Sequence, residues 1–220
     1  MAEILDRLQA AYGNPAARPP RPALDELVLT ILSQNTSDLN SERAYARMRE
    51  RFPTWAGVRD APEGELVEAL RPGGLALQKA PRIQAVLRDL DRLDLEWLGD
   101  EPADEAMRWL VALPGVGPKT ASCVLLFSLG VPVMPVDTHI HRIALRVGLV
   151  PEGTTAAAAH ALLTEMTPPG RMLEAHLLLI RHGRTTCTAR RPRCEECVLL
   201  DICDYGRAAR APTAPVRPPT

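Results

Sequence analysis

The sequence predicts an all-α protein, and three observations carry that expectation. Apolar residues recur at three- and four-residue spacing through most of the 220 residues. No stretch alternates β-branched and polar residues, and no Asn-Gly or Asp-Gly pair offers a hairpin turn. Prolines gather at the joints between periodic segments, in NPAARPPRP and GVPVMP.

Taken in order, a first helix lies in MAEILDRLQAAYG, followed by the proline-rich joint at 14–22. Periodicity places helices over Ala23–Ser33 and 41–52, with Asp38, Asn40 or Ser41 available as N-cap for the second. Helices at 64–70, 80–93 and 103–113 continue the pattern, the last opened by acids in its first turn. Segments 117–129, 137–147, 154–166 and 171–182 complete the set. The end, RAARAPTAPVRPPT, holds four prolines in its last ten residues and is expected to be a disordered tail over 207–220.

Composition is that of a globular protein, 46% hydrophobic and 24% charged. No apolar run is long enough to cross a bilayer and the start has no leader-like pattern, which predicts a cytoplasmic chain with no membrane partner. A net charge of −1 argues at first against a nucleic-acid partner. The charge is unevenly spread, however. Residues 112–193 hold nine basic and four acidic side chains, a net of +5 that leaves −6 elsewhere. Such a chain can turn one basic face to phosphates; a chance fluctuation on a solvated surface accounts for the same numbers.

Of 26 basic residues only Lys79 and Lys119 are lysines. A guanidinium stays protonated and is no nucleophile, whereas an amine can be one. Each lysine therefore marks a position at which to ask whether the chemistry requires an amine.

Lys119 lies in LPGVGPKTA, residues 113–121. Gly115 and Gly117 permit positive φ in a tight turn between two helices. Pro118 suits the first helical position, where its missing N–H costs nothing. The free backbone N–H groups at such a helix start bind phosphate without reading sequence. Lys119 falls in the first turn, where the helix dipole disfavours a second positive charge and so favours the uncharged, nucleophilic amine. The alternative is a surface lysine that meets a phosphate as a point charge. Eighteen residues on, VDTHIHR places Asp137 as an N-cap. Its carboxylate can also stabilise the cation-like sugar formed when an N-glycosidic bond breaks.

Five cysteines are present, and Cys187, Cys194, Cys197 and Cys203 form C-x6-C-x2-C-x5-C. The Cys194–Cys197 spacing suits metal ligation better than disulfides, and four thiolates hold zinc or a [4Fe–4S] cluster. Cys123 is expected in the core.

LPGVGPKTA followed by VDTHIHR resembles the helix-hairpin-helix–Gly/Pro–Asp signature of the endonuclease III family. The resemblance spans about residues 20–206, and the cysteine spacing matches the family's cluster loop, which selects [4Fe–4S]. It implies two α-helical domains with a DNA groove between them: a helical-barrel domain over 23–129, and a cluster domain of 1–22 plus 130–206. It implies a bifunctional DNA glycosylase and abasic-site lyase in base excision repair. Lys119 would attack C1′ of an everted damaged nucleotide, with oxidised pyrimidines the expected lesion, and Asp137 would assist. The implied partner is double-stranded DNA with a damaged base or abasic site, met by a monomer at the nucleoid.

The resemblance also suggests who fills the gap left by the everted base. ILSQNTSD matches the pocket-side segment, with Ser33 in the pocket and either Gln34 or Asn35 in the gap. GLALQKA supplies Leu75 as wedge, with Lys79 nearby as a DNA contact. Ala76 and Leu77 are more apolar than the family pattern. Gly115, Gly117, Arg190, Arg191 and Arg193 would meet phosphates, the arginines on the loop between the first two cluster cysteines. His139 lines the pocket or serves packing. Two rivals remain: a binding module of the same fold with little catalysis, and a monofunctional mismatch glycosylase, which Lys119 disfavours.

Overall fold

The computed structural model describes residues 1–210. Twelve α-helices and five short 3₁₀ turns account for the regular structure among them, with no strand. The chain divides into two compact units. One is Arg18–Pro135; the other joins Met1–Ala17 to the residues from Val136 onward.

The Arg18–Pro135 unit contains α2 (Ala23–Ser33), α3 (Asp38–Arg51), α4 (Trp55–Asp60), α5 (Glu63–Leu70), α6 (Ala76–Asp89), α7 (Ala103–Ala112) and α8 (Pro118–Phe127). Helix α2 is apolar nearly all round, and Leu24, Leu27, Val28, Ile31 and Leu32 are all buried. A helix of that kind belongs in the middle of a bundle, and α8, α3 and α6 pack on it. Helix α8 is buried just as fully from Thr120 to Leu126. The unit continues past residue 129 because the Val131 N–H bonds the Leu125 carbonyl at 2.9 Å, and Val131 and Val133 join the core.

Two helix starts differ from expectation. Helix α3 begins at Asp38, because Ser37 rather than a later residue caps it, its side chain accepting from the Asn40 N–H. Helix α6 begins at Ala76 and runs through Pro81. Pro81 lies within the first two turns, and the carbonyl it leaves without a donor belongs to Leu77, which is 76% exposed and open to water.

The other unit contains α1 (Ala2–Tyr12), α9 (Thr138–Val147), α10 (Ala156–Met166), α11 (Met172–Thr185) and α12 (Asp204–Arg210). Helix α11 packs on α9 and α1. Gly183 makes the first contact possible: a Cβ there would lie 2.8 Å from the His139 Cβ. The expected tail at 207–220 starts too early, since 207–210 continue α12; the remainder lies outside the described residues. Among the described residues no helix is long and apolar enough to cross a membrane.

Candidate functional site

In the Arg18–Pro135 unit, the turn between α7 and α8 is closed by the Val116 N–H donating to the Leu113 carbonyl at 3.1 Å. Gly115 adopts φ +74°, and a Cβ there would fall 2.6 Å from the Arg82 Cδ, so both backbone and space call for glycine. Gly117 does not need positive φ. It is the extended N-cap of α8 at φ −97°, and a Cβ would meet nothing within 4 Å. Its value is the open approach it leaves to a helix start that no side chain caps.

Lys119 is the second residue of α8 and half-buried. Its amine makes no hydrogen bond or ion pair among the described residues. An unpartnered, partly shielded amine at a helix N-terminus is free to meet an electrophile or an anion.

Two segments of the same unit carry unusual backbone. Asn35 at φ +54° and Leu75 at φ +52° are the non-glycine residues with positive φ among those described. Both side chains are exposed, Leu75 to 46%. Gln34, in contrast, is occupied: its Oε1 accepts from Arg82 at 2.7 Å and its Nε2 donates to the Thr120 hydroxyl at 3.4 Å. Ser33 turns its hydroxyl back onto the Thr30 carbonyl at 2.8 Å. Arg82 was not singled out from sequence; its only cue is a cation one turn from Lys79.

Lys79 corrects the expectation of a DNA contact. It is 3% exposed, and its amine donates to the Leu32 carbonyl at 2.6 Å and the Gly73 carbonyl at 2.9 Å. Burial, with the Arg82 charge nearby, lowers its pKa.

In the other unit Asp137 caps α9, accepting from the backbone N–H of His139 at 2.9 Å and of Ile140 at 2.8 Å through the same oxygen. The second carboxylate oxygen is not used by the cap. His139 is half-buried against Gly183, and its Nδ1 accepts from Arg142 at 3.1 Å.

All four cysteines of the C-terminal motif line one small cavity, together with His182 and Arg146. Burial pushes the Cys197 and Cys203 thiols up, and the neighbouring thiols push the same way. Sulfurs so placed need a cation to become thiolates. Among the described residues no three His, Cys, Asp or Glu side chains converge tightly enough for a single ion. Four thiols around one cavity are the donor set of a four-thiolate centre. Hydrogen bonds to sulfur are already in place: Arg146 reaches Cys187 Sγ at 3.4 Å, His182 Nε2 stands 3.7 Å from Cys197 Sγ, and Gly206 N–H donates to Cys203 Sγ at 3.4 Å. Cys123 is in the core at 2% exposure.

The arginine surplus divides into two groups. Arg142 donates to the Gly183 and Cys187 carbonyls, and Arg146 to those of Thr188 and Ala189, so both brace the cysteine loop from within. Arg193 is drawn back too, donating to the Thr185 carbonyl at 2.6 Å and pairing with Glu196. Arg190 and Arg191 are exposed, and their side chains have no partner among the described residues.

Residues 28–169 match the HhH-GPD superfamily of base excision DNA repair proteins, and 187–203 match the iron–sulfur binding domain of endonuclease III. The endonuclease III of Treponema pallidum is 36% identical over 201 residues, 91% of this chain and 92% of the relative.

The chain belongs to the endonuclease III family.

The Escherichia coli endonuclease III is 33% identical over 204 residues, 92% of this chain and 94% of the relative. A putative DNA glycosylase of Arabidopsis thaliana is 39% identical over 165 residues, and the chain spans 56% of its length. The fold matches that of a trapped endonuclease III–DNA covalent intermediate with a TM-score of 0.78, at 28% identity and covering 94% of this chain and 96% of the other. Family membership makes this protein a DNA glycosylase/AP lyase of base excision repair, with a [4Fe–4S] cluster in the cysteine cavity.

Proposed function

We propose that Lys119 is the nucleophile of this enzyme, Asp137 its assisting carboxylate, and oxidised pyrimidines in duplex DNA its substrates. The damaged nucleotide must leave the stack, because C1′ cannot be reached within it. The Lys119 amine then attacks C1′, and the base departs with the electrons of the glycosidic bond. Ring opening gives an imine between the lysine nitrogen and C1′. Loss of a C2′ proton then expels the 3′ phosphate and nicks the strand. The Asp137 carboxylate, held by two backbone N–H groups, opposes the positive charge that builds on the sugar. Cys187, Cys194, Cys197 and Cys203 would hold the cluster and with it the shape of the 187–203 loop, so that Arg190 and Arg191 meet phosphates. The amides at the start of α8 hold another phosphate. Asn35 and Leu75 occupy the space vacated by the everted nucleotide. Such a chain works as a monomer on chromosomal DNA in the cytoplasm.

The observation that carries this reading is the half-buried, unpartnered Lys119 amine beside an uncapped helix start. Borohydride reduction tests it. Wild-type protein is expected to form a covalent adduct with DNA holding an oxidised pyrimidine or an abasic site, and Lys119→Gln to form none. A trapped adduct in Lys119→Gln would move the nucleophile elsewhere, and tight binding with no adduct in the wild type would make the protein a binding module.

A further inference from the structure

We infer that Lys79 is a positioning residue that ties the two gap-filling segments to each other. The inference rests on the assignment of Asn35 and Leu75 to the gap. Its amine donates to Leu32, three residues before Asn35, and to Gly73, two residues before Leu75. The backbone N–H of the same residue donates to the Leu75 carbonyl at 3.0 Å. One residue thus holds both segments.

The chemistry explains why an amine stands here in a chain that otherwise uses arginine. The Leu32 carbonyl belongs to the last turn of α2, which carries no basic residue, and Gly73 ends a 3₁₀ turn. Carbonyls at helix ends lack intrahelical donors and sit at the negative pole of the helix dipole. A compact ammonium offers three donors from one point, whereas a planar guanidinium would need a wider space. The site is only 3% exposed. Left-handed backbone at Asn35 and Leu75 persists only where the surroundings over-determine it. The two hydrogen bonds supply that restraint beside each of them.

Lys79→Met tests the tie, since it keeps the stem and removes the donors. Adduct formation is measured in single turnovers on two substrates: an abasic site in a paired duplex, and the same site inside an unpaired bubble. Only the first requires a gap to be propped open. The expected result is a loss of about tenfold on the duplex, in line with displaced catalytic geometry, and less than about threefold on the bubble. Lys79→Gln, which retains a donor, should recover part of the duplex rate. Equal losses on both substrates, or none, would overturn the inference. So would failure of both variants to melt cooperatively, because the amine would then serve the fold and not the gap. Leu75→Ala and Asn35→Ala run in parallel. If they leave the duplex-to-bubble ratio unchanged, the gap assignment itself fails. If they lower it and Lys79→Met does not, only the role of Lys79 fails.

Discussion

Asn35 and Leu75 share a backbone conformation that no other non-glycine residue among those described adopts, with φ of +54° and +52°. The next residue after Leu75 starts α6, and Asn35 follows the C-cap of α2, so each strained residue sits at a helix boundary. A left-handed non-glycine residue costs roughly 1–3 kcal/mol. Leu75→Gly should remove that cost, leaving the melting temperature unchanged or higher. The same substitution removes the exposed side chain, so single-turnover adduct formation on duplex DNA should slow about tenfold, or roughly 1.4 kcal/mol. Calorimetry and borohydride trapping on one preparation check both halves. A lowered melting temperature with full activity would show that Leu75 serves packing.

Asp137 separates capping from chemistry in another way. Asparagine caps a helix about as well as aspartate, so Asp137→Asn should cost less than about 0.5 kcal/mol of stability. It also removes the negative charge. Turnover should then fall by about 10²-fold, the scale of losing one electrostatic contact to a developing charge, while affinity for an uncleavable abasic-site analogue changes little. Equal losses in turnover and affinity would reduce Asp137 to a cap.

Much of the fold was legible because burial leaves a pattern. Ala23–Ser33 is apolar nearly all round and lies at the centre of its unit; the spacing around Ile140, Ile143, Ala144 and Val147 likewise marks one face of α9. The positions of Lys119 and Asp137 at helix starts were legible because glycine, proline and a capping carboxylate mark such starts by local rules. What escaped was decided by distant contacts. Lys79 is charged, and only the carbonyls of Leu32 and Gly73 explain its burial. The arginine surplus at 142–193 suggests a basic face until Arg142, Arg146 and Arg193 are seen holding carbonyls of their own unit. Gln34 and Asn35 are chemically alike, and only the bonds of Gln34 to Arg82 and Thr120 show which one is occupied.

The two kinds of arginine in the cysteine loop predict different phenotypes. Arg191→Ala should weaken binding to all duplex sequences alike and reduce the salt dependence by about one phosphate contact. Arg193→Ala should leave that slope nearly unchanged and instead loosen the loop, because its guanidinium serves the Thr185 carbonyl and Glu196. Binding measured across a salt series, together with the stability of the absorbance near 400 nm, separates the two. An unchanged slope in Arg191→Ala would take this loop out of the DNA interface.

Glu26 gives a prediction whose sign depends on pH. It is half-buried on α2, and burial raises its pKa above the usual 4.5, against the opposing charges of Arg21, Arg18 and Lys119. Below pH 4.5 the carboxyl is protonated in both folded and unfolded chains and costs nothing. As pH rises through that value the unfolded chain releases its proton first, so the folded state binds more protons and loses stability until the folded pKa is passed. Glu26→Gln keeps an acceptor for the Thr30 hydroxyl, which stands 3.4 Å from the native carboxylate, and never ionises. The variant should therefore melt higher than the wild type at pH 7 and converge with it as pH falls below about 4.5. A wild type that is the more stable at pH 7 would mean that the arginines and Lys119 around Glu26 outweigh its burial.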